Sequence, residues 1–389
     1  MAHGSVCMWR RWTGIEPAGR GSLVPTALKA AESTRYPDTS TAEVRAPDDD
    51  LTRSNADPAP RVTGAVPSQP MDEQPVLFVS ALLWEQWGNA LRAQGDFDVL
   101  LFHPGQRVSE ADLERVTVAC LSGDLWPERS PAYMRCCLGI PHLDWFQSFS
   151  AGVDSPVFGL LLDRGTRLTS ASGASATPIA HHVVMGLLAL ARRLPTMLHQ
   201  QHEHRWQMHR LGDLEGRTVG VLGMGPIGLE AARLCAEFGM RPIGMRRTVQ
   251  GDEPCETWTF TRLDELLSTV DDLVLALPLT PDTNGLIGAR ELALLRPGAR
   301  LVNVGRGELI DEDALVDALR RGHLEGAALD VFVTEPLPTE HPLWDLPNVI
   351  VTPHIAGATP LADDRAAAIF VDNLGRYLRG EPLRNEVFR

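Results

Sequence analysis

Glycines and arginines placed around two β-like runs could hold an anionic cofactor. Gly223-Met-Gly-Pro-Ile-Gly228 follows the run Thr218-Val-Gly-Val-Leu222 and precedes an amphipathic helical pattern. That is the context in which GxGxxG cradles a dinucleotide pyrophosphate. Gly223 allows the tight turn, Gly225 lets backbone amides approach, and Gly228 lets the helix pack close to the strand, with Ile227 beside it. Pro226 suits a first helical turn, where its missing N–H costs nothing. An acid about 20 residues beyond the glycines would bond a ribose 2′-hydroxyl and repel a 2′-phosphate. Here the sequence reads Met245-Arg-Arg-Thr248 instead, so Arg246 and Arg247 offer guanidinium forks and Thr248 a hydroxyl. NADP(H) is favoured over NAD(H) on that basis, a solvated arginine pair on a surface loop being the bland alternative.

Three further segments, Asn303-Val-Gly-Arg-Gly307, Leu329-Asp-Val-Phe-Val-Thr-Glu-Pro336 and Thr352-Pro-His-Ile-Ala-Gly357, occur in order after the glycine motif. With Ser150-Ala-Gly-Val-Asp154, Pro278-Leu-Thr-Pro-Asp-Thr283 and Gly380-Glu-Pro-Leu383, their register resembles that of the D-isomer-specific 2-hydroxyacid dehydrogenases. The resemblance covers residues 75–387 and points toward the glyoxylate and hydroxypyruvate reductases within that family. It implies hydride transfer between NADP(H), or NAD(H), and the C2 carbon of a small 2-oxo or 2-hydroxy acid.

The resemblance also implies roles. Arg306 would bind the substrate carboxylate and carbonyl oxygen, a task that suits an always-charged planar fork. His354 would exchange the proton, and Glu335 would orient the imidazole and raise its pKa. Backbone amides at Ala151 and Gly152 would reach the substrate carboxylate from another domain, and Asp330 would hold the nicotinamide carboxamide, with a buried capping role as its alternative. Leu277, Pro278, Thr283, Val304, Gly305 and Gly357, together with Arg306 and His354, complete the implied cofactor contacts. Each residue alone would be unremarkable. Together they follow the ends of β-like runs, where ligand sites collect in doubly wound sheets.

Some residues depart from the family pattern or distract from it. Ala180-His181-His182 stands where many relatives have Ala-Glu-His, so a carboxylate is lost. His199, His202, His204 and His209 are offset by three, five and ten residues, which does not gather them on one helical face. No metal site is expected. In the family this region, with Trp206, belongs to an arm used in dimer contacts, so a homodimer is expected on the resemblance alone.

The elements that must position these groups read as an α/β protein. Short β-like runs at 75–80, 97–102, 116–121, 144–148 and 166–170 alternate with helical stretches, the pattern of a parallel sheet covered by helices. A long apolar helix from Thr177 to about Arg193 leads to a second series at 218–222, 241–245, 272–276, 300–304, 327–331 and 349–351. The expected architecture is two doubly wound parallel-sheet domains, a Rossmann cofactor domain (176–357) inserted in a flavodoxin-like substrate domain (71–175 plus 358–389). Closure about hinges near 175 and 358 would exclude water from the cleft. The last helical pattern, Leu361 to Arg379, is too short for a domain and must pack onto the first. Substrate size would be set by 82–87, Leu125-Trp126 and 150–153, whose apolar members leave room for a nonpolar group.

Residues 1–70 lack apolar periodicity and are expected to be disordered. Trp12-Thr-Gly-Ile-Glu-Pro-Ala18 resembles the product of a mistranslated transfer-RNA gene, which makes a gene-model artefact one reading of this tail, with Met71 as the start.

Composition narrows the partners. Fifty acidic against 36 basic residues give a net charge of −14, which argues against nucleic acid and acidic membranes. Six scattered cysteines without CxxC spacing read as thiols in a reducing cytoplasm. No apolar run reaches the roughly 18–20 residues of a membrane span. Competing functions are a dinucleotide-sensing corepressor without turnover, and a phosphoglycerate- or formate-type dehydrogenase.

Overall fold

The computed structural model describes residues 74–388, so the expectations for residues 1–70 lie outside the described residues. In chain order the strands are β1 (Val76–Ser80), β2 (Asp98–Phe102), β3 (Val118–Leu121), β4 (Trp145–Ser148), β5 (Arg167–Thr169), β6 (Thr218–Leu222) and β7 (Arg241–Met245). They continue with β8 (Glu256–Trp258), β9 (Asp272–Leu275), β10 (Ala299–Asn303), β11 (Leu324–Leu329), β12 (Val349–Val351) and β13 (Glu386–Val387). Two sheets result, in the orders β13-β5-β4-β3-β1-β2 and β12-β11-β10-β9-β6-β7-β8. Every pairing is parallel except that of β13 with β5. The protein is thus an α/β protein with two doubly wound sheets, and the strand order reverses between β1 and β3 in one and between β6 and β9 in the other.

Sequence explains the parallel arrangement, because parallel strands are covered on both faces and need apolar side chains on both. All five residues of β1, β6 and β10 are buried. On one face of the second sheet the helix Ala176–Ala191 sets Val183, Leu187 and Leu190 against Val219, Val221 and Val302. It lies so close that a Cβ on Gly186 would come within 2.8 Å of the Ala328 Cβ. On the other face Leu266, Leu315 and Leu319 pack with Leu273, Leu275 and Leu301.

The final helix, Pro360–Leu378, returns to the first sheet, placing Ala367, Phe370 and Leu374 among Leu77, Val79 and Trp145. A buried polar chain fixes this docking. The Trp145 indole donates to the Thr169 hydroxyl (2.8 Å), which donates to Gln147 Oε1 (2.7 Å), and the same oxygen accepts from Asn373 on the final helix (3.2 Å). At the N-terminal edge of the second sheet, away from the glycine motif, Arg217 forks onto the fully buried Asp272 at 2.8 and 3.0 Å. Arg300, also buried, bridges Asp272 (3.6 Å) and Glu325 (2.9 Å).

Most strand ends fall within two residues of the sequence reading, and the start of β11 departs furthest. β11 begins at Leu324 rather than 327; its Gly326 and following alanines have weak strand propensity, yet a Cβ at Gly326 would meet the Asn348 carbonyl at 2.5 Å. Small residues are required there by packing. β8 and β13, of three and two residues, lie at sheet edges and were not anticipated, since so few residues carry no periodicity. The long helix spans Ala176–Ala191.

Candidate active site

The glycine motif opens from the C-terminal end of β6, at the point where the second sheet's order reverses, the usual ligand position in such sheets. Gly223 has φ +100°, and a Cβ there would lie 2.6 Å from the Ala276 carbonyl, so a side chain is excluded twice over. Gly228 is equally constrained, since its Cβ would fall 1.8 Å from the Gly223 carbonyl oxygen. Gly225, by contrast, has no atom within 4 Å of such a Cβ, and it caps the 12-residue helix Pro226–Glu237. Clear space over a helix N-terminus with uncapped amides fits a pyrophosphate.

Neighbouring loops close around this point. The Leu277 backbone lies beneath both Gly223 and Gly305, whose added Cβ would be 3.0 and 2.8 Å from it. Asn303 accepts from the Gly305 amide (3.0 Å) and donates to the Arg306 carbonyl (2.8 Å), fixing the turn Val304–Gly305–Arg306. Thr283 is used within its own turn, accepting from the Thr280 amide (2.8 Å) and donating to the Pro278 carbonyl (2.7 Å). Gly357 sits against Ser175, at 3.1 Å from a Cβ, so the two chain crossings between the sheets lie side by side.

The structure separates the two arginines expected at a 2′-phosphate. Arg246 bonds Glu253 at 2.9 Å, and that carboxylate also accepts from the Gln250 (2.7 Å) and Gly251 (2.8 Å) amides. Those amide bonds, then Arg246, hold the Glu253 carboxyl down to about 2. Arg247 and Thr248 are exposed, and Arg247 has no partner among the described residues. Sequence reasoning missed Glu253, because a turn at Gly251 carries it back to the strand end seven residues after Arg246.

Along the same edge of this sheet, Arg306, Glu335 and His354 come together from loops after β10, β11 and β12. His354 Nδ1 and Glu335 Oε2 are 2.8 Å apart, and Glu335 Oε1 accepts from the Phe332 amide (3.0 Å). The Glu335 hydrogen bond raises the His354 pKa above its ordinary 6.5, outweighing partial burial. Burial pushes the Glu335 carboxyl upward, but the bonds from His354 and Phe332 prevail and lower it.

His354 adopts φ +52°, a left-handed conformation that non-glycine residues seldom take. Asp330 holds it there. The Asp330 carbonyl accepts from the His354 amide (2.8 Å), and its buried carboxylate accepts from the Thr352 hydroxyl (2.6 Å) and the Ile355 and Ala356 amides (3.0 and 2.9 Å). His182 joins this group, 3.1 Å from the Thr352 hydroxyl. Asp330 therefore organises the loop that carries His354.

Arg306 meets a residue to which the sequence reading gave no role. Its Nε and Nη2 donate to the two carboxylate oxygens of Asp154 at 2.8 and 2.7 Å, and Nη1 donates to the Gly305 carbonyl (2.7 Å). The Asp154 bond raises the Arg306 pKa; burial opposes the lowering of the Asp154 carboxyl, which the Arg306 bond nevertheless achieves. The guanidinium lies directly on Gly152, where a Cβ would be 1.8 Å from Nη2. The Ala151 and Gly152 amides, on the loop beside it, have no acceptor among the described residues.

The histidine-rich stretch forms no such constellation: His199 pairs with Glu203 (3.1 Å) and His209 with Gln200 (2.6 Å). His181 is exposed. Trp206 and Met208 are 94 % and 89 % exposed. Among the described residues no group of three or more His, Cys, Asp or Glu side chains could hold a metal, and no helix is long and apolar enough to cross a membrane.

A nucleotide-cradling sheet beside a second doubly wound sheet, with an arginine and an acid-backed histidine between them, defines the two-domain NAD(P)-binding oxidoreductases. The chain belongs to the D-isomer-specific 2-hydroxyacid dehydrogenase family. The model of that family's NAD binding domain matches residues 184–356. Glyoxylate/hydroxypyruvate reductase B of Pectobacterium carotovorum is 39 % identical over 253 residues, 63 % of this chain and 79 % of that one. Among solved structures, the D-isomer-specific 2-hydroxyacid dehydrogenase of Xanthobacter autotrophicus Py2, bound to NADPH and MES, is 34 % identical with a TM-score of 0.67. The match covers 81 % of this chain and 98 % of that one. An NADPH-dependent glyoxylate/hydroxypyruvate reductase of Sinorhizobium meliloti, bound to NADP and sulfate, is 30 % identical with the same TM-score and the same two coverages.

Proposed function

We propose that the protein is an NADPH-dependent reductase of small 2-oxo acids, yielding the D-2-hydroxy acid. The observation that carries this reading is the gathering of Arg306 and the His354–Glu335 pair at one sheet edge, beside the loop whose Ala151 and Gly152 amides have no acceptor among the described residues. A 2-oxo acid offers a carboxylate for the amides and the guanidinium, and a carbonyl that the same guanidinium polarises. When bound, the reduced nicotinamide supplies the hydride to C2. His354 Nδ1 is committed to Glu335, so Nε2 is the nitrogen left to deliver a proton to the carbonyl oxygen. One hydride at carbon and one proton at oxygen complete the alcohol; Glu335 stabilises the imidazolium before the transfer and keeps the neutral ring oriented after it.

The cofactor preference rests on the engagement by Arg246 of the carboxylate at the end of β7, that of Glu253, on Arg247, which has no partner among the described residues, and on NADP(H) in similar solved structures. Between sheets with crossings near 175 and 358, a substrate domain and a cofactor domain closing on each other would keep water from the reacting carbon. The exposed Trp206 and Met208 favour a homodimer through that arm.

The test is turnover of glyoxylate, hydroxypyruvate and larger 2-oxo acids with NADPH and NADH in parallel. Consumption of NADPH with at least one of them, and a lower kcat/KM with NADH, is the expected result. Tight NADPH binding without turnover of any 2-oxo acid would replace the enzyme reading with a cofactor-sensing one.

A further inference from the structure

The fork that is to receive the substrate carboxylate already holds a carboxylate. Asp154 takes Nε and Nη2 of Arg306 in the side-by-side geometry that an external carboxylate would use, and the Gly305 carbonyl takes Nη1. Three features set this apart from a permanent brace. Arg306 is tied to its own loop, because Nη1 donates to the Gly305 carbonyl (2.7 Å) and Asn303 fixes its backbone (2.8 Å). Asp154 can retreat, because it lies on a partly exposed loop and turning outward would return to its carboxylate the hydration that burial against Arg306 removes. Finally, His354 is near enough to favour the Asp154 anion, so this carboxylate sits within reach of both cations of the site.

We propose that Asp154 is an internal competitor for the substrate's carboxylate: it occupies Arg306 in the unliganded enzyme and is displaced when a 2-oxo acid binds. This rests on the reading that Arg306 binds that carboxylate. The consequence is selectivity among anions. A ligand that contacts Arg306 alone must exchange one bidentate pair for an equal or poorer one. A 2-oxo acid gains additional contacts, from the Ala151 and Gly152 amides and from His354 to its carbonyl oxygen, and so wins the exchange. Simple inorganic anions are thereby kept off a strongly cationic site.

Asp154→Asn keeps the shape and removes the charge. In the full-length protein with NADPH, the KM for glyoxylate and the inhibition constants for oxamate and sulfate are expected to fall by about three- to tenfold, the range of a partly exposed charge pair. Sulfate should also raise the melting temperature of D154N in the absence of substrate while leaving the wild type nearly unmoved, a readout independent of turnover. Constants that rise or stay the same, with no gain in the sulfate response, would overturn the proposal and make Asp154 a brace for Arg306. Asp154→Ser serves as a second variant should D154N fold poorly. Arg306→Gln separates this inference from the reading beneath it. If R306Q retains turnover and oxamate binding, the role of Arg306 itself fails; if R306Q loses both while D154N binds anions more weakly, only the competitor fails.

Discussion

His354 and Glu335 share a single hydrogen bond, Nδ1 to Oε2 at 2.8 Å, and the other oxygen of that carboxylate is held by the Phe332 amide. The carboxylate is thus anchored at one end and orients the ring at the other. That hydrogen bond raises the His354 pKa above 6.5, which favours the protonated ring that the proposed reduction would use.

The pH dependence follows from the direction of that shift. The proposed reduction would use the protonated imidazole, so kcat/KM for a 2-oxo acid is expected to fall as pH rises through the His354 value, at a break above 6.5. Glu335→Gln removes the stabilising charge and moves this break to lower pH. His354→Asn is expected to reduce kcat by about 100- to 10,000-fold, the range for a general acid, with NADPH binding retained in a fluorescence titration. An unmoved break in E335Q, or an unchanged kcat in H354N, would remove the pair from the chemistry.

Gly152 is predicted to tolerate no side chain. A Cβ would lie 1.8 Å from Arg306 Nη2 and 2.9 Å from Asp154 Oδ1, so Gly152→Ala must push the guanidinium from its place. Because the loop is exposed, melting temperature should change little while KM for the 2-oxo acid rises and kcat falls, as measured by steady-state kinetics.

Arg246 and Arg247 should differ when replaced. Arg247→Ala is expected to raise the KM for NADPH by about tenfold, one charge-assisted contact, and to leave NADH unaffected. Arg246→Ala should weaken both cofactors, because it releases the loop tied through Glu253. Equal effects of R247A on the two cofactors would contradict the 2′-phosphate reading.

The buried Asp272 is a stability element remote from the chemistry. Asp272→Ala would take the forked carboxylate from Arg217 and leave Arg300 with Glu325 alone among its carboxylates, at a cost of about 3 kcal/mol, the low end for a broken buried pair. Chemical denaturation should report that loss, with the KM values of the remaining folded enzyme unchanged.

Much of this was legible from the chain alone, for identifiable reasons. Parallel strands covered on both faces must be apolar along their length, so the buried runs of β1, β6 and β10 are visible as runs. Gly223 and Gly228 announce themselves because backbone conformation and close packing admit no other residue there. The order of motifs carrying Arg306, Glu335 and His354 identified the family and the expected site. The short edge strands β8 and β13 escaped, having too few residues for periodicity.

What tertiary structure decided was which charges meet. Asp154 and Arg306 are 152 residues apart, and their forked contact depends on how the loop after β4 faces the loop after β10. Glu253 captures Arg246 because the Gly251 turn folds the chain back on the strand end. Asp330 acts through four bonds to the loop of His354, a network no spacing encodes. Local sequence determines conformation through sterics and periodicity, whereas the partner of a side chain at a loop tip is set by the packing of distant elements. The motif supplies the arginine and the histidine; the fold decides what each one holds before substrate arrives.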